Sequence, residues 1–265
     1  MKMHGLGNDF VVIDRRSHPV DLRADEVRLI GDRHRGVGCD QLALIDADAE
    51  ADARLTFFNA DGTTSAACGN ATRCIARHLM ATEGKASVTL RTERGLLACE
   101  DAGGGLTRVN MGAPLLAWDE IPLAQAMDTL HLPIAGDPVA TGMGNPHCTF
   151  FVDDAEAADI AAIGPGFETH PLFPQRTNVE LVEVRDPATL RVRIWERGTG
   201  VTLASGSCSC AAAVAAARRG LVGRRVAVIV DGGTLEIDWR DDGVWMTGPM
   251  AHVFDGVLHL DQGAT

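Results

Sequence analysis

Short apolar runs and two long helical stretches alternate along the chain, and their order occurs twice. Residues 10–13 and 148–152 are rich in aliphatic and aromatic side chains and read as buried strands, as do 57–58 and 192–195. A polar, Gly-rich turn follows each of the latter two runs. Each turn leads into a predicted helix, Gly69 to about Leu79 and then Gly206 to Arg219, with Gly84 and Gly220 as stops. Residues 87–91 and 226–230 resume a strand-like pattern. Pro and Trp interrupt the pattern at 114–122, which marks a change of domain. The apolar run at 257–260 reads as a last strand returning to the first half.

The two passages are copies. Asn8 and Asn145 stand 137 residues apart, and so do Gly69 and Gly206. "FNADGTTSAACGNATRC" falls on "WERGTGVTLASGSCSCA", and "SVTLRTERGLLACE" falls on "RVAVIVDGGTLEID" at nearly the same offset. Several segments matching in order indicate a duplicated unit. The expected class is α+β: two pseudosymmetric domains, each a mixed, barrel-like sheet wrapped around a central helix, with the active site in the cleft between them. The expected bounds are 1–115, joined by 255–265, and 116–254.

Composition narrows the chemistry. With 46% hydrophobic residues, the 265-residue chain can bury a sizeable core. A net charge of −12 without a basic cluster disfavours nucleic acid and anionic membranes. No apolar run approaches a membrane span, and the N-terminus lacks a signal pattern, so a cytoplasmic protein is expected. Residues 262–265 read as an unstructured end. Seven scattered cysteines do not form a disulfide framework, and no clustered ligand set points to a metal. The only lysines, Lys2 and Lys85, lie at the terminus and in a turn, which argues against pyridoxal phosphate. No G-x-G-x-x-G follows a strand. No cofactor or metal is expected.

The chemistry concentrates at the two helix starts, Cys68-Gly69-Asn70 and Ser205-Gly206-Ser207. A helix start presents unpaired N–H groups and the positive end of the helix dipole, which suits a carboxylate. A cysteine placed there is favoured as thiolate and becomes a base near neutral pH. Two such starts gripping one carboxylate would put residues 68 and 205 on opposite faces of an α-carbon. That is the arrangement for two-base epimerisation of an amino acid.

The motifs "MHGLGNDFVVID", "GCDQL", "FFNADG", "ACGNATRC", "VNMG", "MGNPHC", "RTNVEL" and "WERGTG…ASGSCSCAAA" resemble the diaminopimelate epimerase family over essentially the full length. The resemblance implies interconversion of LL- and meso-2,6-diaminopimelate, for lysine and peptidoglycan synthesis, without metal or coenzyme. It also implies a closing cleft and a homodimer. By motif, Cys68 matches a catalytic cysteine. Gly69-Asn70 and Gly206-Ser207 match the segments holding the reacting carboxylate. Asn8, Gln41, Asn59, Asn145, Asn178, Glu196 and Arg197 match substrate-binding residues, and His147 and Glu196 match residues that tune the catalytic groups.

The match breaks at three positions. Ser205 stands where the family has its second catalytic cysteine, Cys208 where it usually has glycine, and Val201 where it has an acid. A hydroxyl is a weak base without an activating partner. Ser205 is then an engineered change, or a natural one with Cys208 as alternative acid/base, or the mark of a changed activity. Three coinciding departures favour a natural variant. The rival functions are a racemase, epimerase or hydroxyproline dehydratase of the proline racemase type, a catalytically weak amino-acid-binding homologue, and a phenazine-biosynthesis isomerase. Cys68 argues against the last.

Overall fold

The computed structural model describes residues 1–65 and 68–260. Its chain divides into two units, Met1–Val109 with Pro249–Thr265, and Asn110–Gly248.

The first unit opens with an antiparallel hairpin of β1 (Lys2–Gly5) and β2 (Asn8–Asp14). Helix α1 (Ala24–Gly31) precedes β3 (Gln41–Asp46), which runs parallel to β2. Strand β4 (Ala53–Asn59) returns antiparallel to β3 and pairs with the short β5 (Thr64–Ser65). Helix α2 (Gly69–Glu83) follows. Then β6 (Ser87–Thr92) pairs parallel to β4, and β7 (Gly95–Gly103) and β8 (Leu106–Asn110) complete a meander.

The second unit repeats this pairing scheme. Strands β9 (Val139–Gly142) and β10 (Pro146–Phe151) form the hairpin. Helix α3 (Ile160–Glu168) leads to β11 (Asn178–Asp186), parallel to β10, and β12 (Thr189–Glu196) returns antiparallel. The short β13 (Gly200–Val201) precedes α4 (Gly206–Arg218). Strands β14 (Arg225–Val230), β15 (Gly233–Arg240) and β16 (Gly243–Pro249) close the set, with β14 parallel to β12. Last, β17 (Ala251–Phe254) returns to the first unit and pairs with β1.

In each unit the sheet wraps a central helix. Helix α4 packs on β9, β10, β11, β12, β14 and β15, and nine consecutive residues from Cys208 to Ala216 are buried. A helix surrounded on all sides cannot keep a polar stripe. Its alanines, cysteines and serine also let the strands close in. Helix α2 is wrapped by β1, β2, β6 and β7 and ends at Gly84, whose φ of 65° is the left-handed cap that glycine accepts. The outer faces are covered by α1, against Val11, Leu42 and Leu44, and by α3, against Phe150, Val179 and Leu181. Covered on both faces, β2–β3 and β10–β11 read as nearly continuous apolar runs.

The units divide at 109/110 and 248/249, and β17 pairs with β1. One expectation needs correction. Residues 257–260 form no strand, and Val257 is 84% exposed. An apolar pattern without a partner strand gives no ladder. The expected unstructured end, 262–265, lies outside the described residues, none of whose helices is long and apolar enough to cross a membrane.

Helix α3 fixes one side chain that matters for the site. Trp195 donates to Glu168 at 2.6 Å, and its ring covers Gly164. A Cβ at Gly164 would stand 2.4 Å from that ring, whereas one at Gly166 meets nothing within 4 Å. Gly164→Ala should therefore destabilise by about 1–3 kcal/mol, read as a lowered Tm. Gly166→Ala should leave Tm within error or raise it.

Candidate active site

Strand ends gather the candidate residues within each unit. In the first unit Asn8 begins β2, Gln41 begins β3 and Asn59 ends β4, and the register pairs Gln41 with Asn59. Gln41 donates to Asn59 at 3.0 Å. Asn8 donates to Asp40 at 2.9 Å and accepts from Asn70 at 3.2 Å. Behind Asn8, Arg33 bridges Asp9 and Asp40 at 2.7 and 2.8 Å. Burial alone would raise the Asp9 carboxyl, but Arg33 and Lys2 hold it well below the usual range. Cys68 is the N-cap of α2, in extended backbone and half-buried.

The two helix starts are built alike. The N-cap carbonyl of Cys68 accepts from both the backbone and the hydroxyl of Thr72, each at 2.9 Å. The Ser205 carbonyl accepts in the same way from Ser209, at 3.0 and 2.8 Å. Neither first turn contains an acid. Acids commonly neutralise that end of a helix. Without them both starts keep their attraction for an incoming anion.

The second unit carries a buried polar strip. Successive side chains of a strand point to opposite faces. Cys148, Phe150, Val179 and Leu181 pack into the outer core, which turns His147, Thr149 and Glu180 inward toward α4. Glu180 accepts from His147 Nδ1 at 2.6 Å and from Thr149 at 3.0 Å. His147 Nε2 meets Asn145 Oδ1 at 3.0 Å, and Asn145 Nδ2 reaches Ser207 Oγ at 3.4 Å. With Trp195 packed outward on α3, Glu196 points to the inner side. There Ser205 donates to Glu196 Oε2 at 3.0 Å. The partner that a serine base requires is thus present.

Cys208 lies one helical turn after Ser205, fully buried, with its thiol within 4.8 Å of the Glu180 carboxylate and the His147 ring. Burial, with the Glu180 and Glu196 carboxylates, pushes its thiol well above the ordinary range, opposed only in part by Ser205. Cys208 keeps its proton and is a poor base. Burial likewise pushes the Cys74 thiol up to about 12.

Potential metal-ligand atoms of His147, Glu180 and Cys208 lie within 4.8 Å of one another, and no other such trio occurs among the described residues. Two ligands of a tetrahedral ion stand roughly 3.3 Å apart. The 2.6 Å His147–Glu180 separation is that of a hydrogen bond.

Arg197 follows β12. Its backbone N–H donates to Asn178 Oδ1 at 2.9 Å, and its guanidinium to the Gln175 carbonyl at 2.9 Å. Asn178 also donates to the Pro146 carbonyl at 2.9 Å, so its amide ties the Asn145 turn to Arg197. One N–H and one lone pair remain for a ligand. A cavity of about 240 Å³ opens here, lined by Glu120, Gly144, Asn145, Gln175 and Arg197 among others. Gly206 is buried and Ser207 half-buried at the start of α4. Sequence reasoning missed Glu180, Thr149 and Gln175. A lone acid inside an apolar strand, as in "NVELV", was the available signal for Glu180.

The profile of the diaminopimelate epimerase family matches residues 1–116 and 139–253. The chain is 53% identical over 263 residues to the diaminopimelate epimerase of Acidiphilium cryptum, covering 97% of this chain and 95% of that protein. The chain belongs to the diaminopimelate epimerase family. It is an isomerase of the epimerase kind. Among solved structures, a PhzF-family phenazine biosynthesis protein from Bacillus anthracis aligns with TM-score 0.68 at 15% identity, over 97% of this chain and 98% of that one. A hydroxyproline epimerase from Agrobacterium vitis aligns with TM-score 0.67 at 14% identity, over 96% of this chain and 90% of that one. At these identities the likeness shows the shared α+β, two-domain fold.

The burial pattern gives a direct test of which thiol the site exposes. Cys68 is half-buried, and the other six cysteines are buried. Brief treatment of the native protein with iodoacetamide near pH 8 should alkylate Cys68 alone, as mapped by mass spectrometry. Equal labelling at Cys208 would contradict its placement.

Proposed function

We propose that this protein interconverts LL- and meso-2,6-diaminopimelate by two-base proton transfer, with Cys68 on one face of the α-carbon and Ser205 on the other. The observation that carries the role of Ser205 is its 3.0 Å hydrogen bond to Glu196. The reacting carboxylate binds at the N–H groups of Gly69-Asn70 and Gly206-Ser207. Those dipoles also stabilise the charge that develops when the α-proton leaves. Asn8, Gln41, Asn59, Asn145, Asn178 and Arg197 take the distal, zwitterionic end, where Arg197 pairs with its carboxylate.

The proton balance is as follows in one direction. Ser205 Oγ accepts the α-proton as its own hydroxyl proton passes to Glu196. The C–H pair moves onto the α-carbon and its carboxylate, and the Cys68 thiol delivers a proton from the far side. In the other direction the Cys68 thiolate removes the proton. Ser205 then donates its hydroxyl proton to carbon, and protonated Glu196 replaces it. Each group thus starts one direction in the state in which it ends the other. We read the protein as a cytoplasmic homodimer, in keeping with its family and acidic charge.

The test is incubation of the purified protein with LL-diaminopimelate in deuterated water. The expected product is meso-diaminopimelate carrying deuterium at the inverted carbon. Ser205→Ala should lower inversion by about 100-fold or more while Cys68 continues to exchange the α-proton of one stereoisomer. Inversion of hydroxyproline or another amino acid in place of diaminopimelate would refute the assignment.

A further inference from the structure

The duplication supplies an internal control for the polar strip of the second unit. At the 137-residue offset, His147, Thr149, Glu180 and Cys208 fall on Phe10, Val12, Ala43 and Ala71. The strand registers agree, since β2–β3 pairs Phe10 with Gln41 and β10–β11 pairs His147 with Asn178. All eight residues are fully buried. The same fold therefore closes around an apolar cluster in one unit and around a carboxylate, an imidazole, a hydroxyl and a thiol in the other. Burying a carboxylate costs free energy unless its partners are all in place, and replacing such a cluster by apolar groups is commonly neutral or stabilising. The first unit shows that the fold does not need a carboxylate at this position.

Glu180 touches the two parts of the second unit's site that must stay in register. On one side its carboxylate pairs with His147 Nδ1 at 2.6 Å, the ring's far nitrogen pairs with the Asn145 side-chain amide at 3.0 Å, and that amide also reaches Ser207 at 3.4 Å. On the other side the Cys208 thiol lies within 4.8 Å of it, in the turn of α4 that follows the Ser205 cap. Thr149 occupies the remaining carboxylate oxygen at 3.0 Å. Beside it, on the cross-strand partner of His147, Thr141 keeps a buried hydroxyl without a hydrogen-bond partner.

The geometry assigns Glu180 as a positioning residue: through His147 it fixes the Asn145 amide, and by packing beside Cys208 in the first turn of α4 it supports the Ser205 cap, whose hydroxyl is bonded to Glu196. This role rests on the two-base reading above. It predicts that inversion depends on Glu180, whereas proton exchange carried out by Cys68 does not.

The experiment compares wild-type protein with Glu180→Gln and Thr149→Val, measuring inversion kcat and KM, deuterium exchange of the stereoisomer that Cys68 deprotonates, and Tm. Glu180→Gln should lower inversion kcat by about 10- to 100-fold, the scale of a misplaced catalytic group. KM should change by less than about threefold, because most groups that bind the distal end are untouched, and exchange and Tm should be retained. Thr149→Val installs the side chain found at position 12 and should give a smaller kcat loss of the same kind, which keeps the test open if Glu180→Gln does not fold. Equal loss of exchange and inversion, or unchanged kcat in both variants, would overturn the assignment. A wild-type protein that exchanges without inverting diaminopimelate would instead refute the function above, and this role with it.

Discussion

Everything in this fold depends on enclosing a helix. A sheet that wraps α2 or α4 on nearly every side forces the helix to be small and apolar along its length. It also leaves the helix N-terminus as the place where unpaired backbone donors can meet a ligand. The strands that enclose the helix converge at that same end. Asn8, Gln41 and Asn59 in one unit, and Asn178 and Glu196 in the other, are therefore strand-end residues, and Asn145 immediately precedes β10. The site follows from the packing problem.

The duplication sets which differences carry information. Both starts share the glycine after the cap, the back-bonded cap carbonyl and the absence of first-turn acids. They differ in the cap side chain, sulfur in one and oxygen in the other. They differ also in what lies behind it. Ala71 stands one turn after Cys68, whereas one turn after Ser205 stands Cys208, beside Glu180 and His147, and Ser205 is bonded to Glu196. A thiol at a helix start needs little help to ionise, and a hydroxyl needs a neighbouring carboxylate. The polar strip sits in the unit whose cap residue is the serine.

Much of this was legible in the residues. The helix starts and glycine stops were placed to within a residue or two, because glycine's left-handed cap and the loss of periodicity are local signals. The repeat was readable from spacing alone, and it carried the two-unit fold with it. The return to the first unit was read too late. An apolar run at 257–260 resembles a strand in isolation, and only the partner available to β17 decides where pairing occurs. The Ser205–Glu196 bond and the role of Glu180 were not legible as geometry. Side-chain hydrogen bonds across strands depend on which face each residue takes, and that was fixed by the outer packing of Trp195, Val179 and Leu181.

The proposed reaction requires both helix starts to bind one substrate carboxylate. Backbone amide NMR shifts recorded during titration with diaminopimelate test it most directly. The amides of Gly69, Asn70, Gly206 and Ser207 should move together, along one saturation curve with a single Kd. Movement at only one helix start, or at neither while the ligand binds elsewhere, would contradict it.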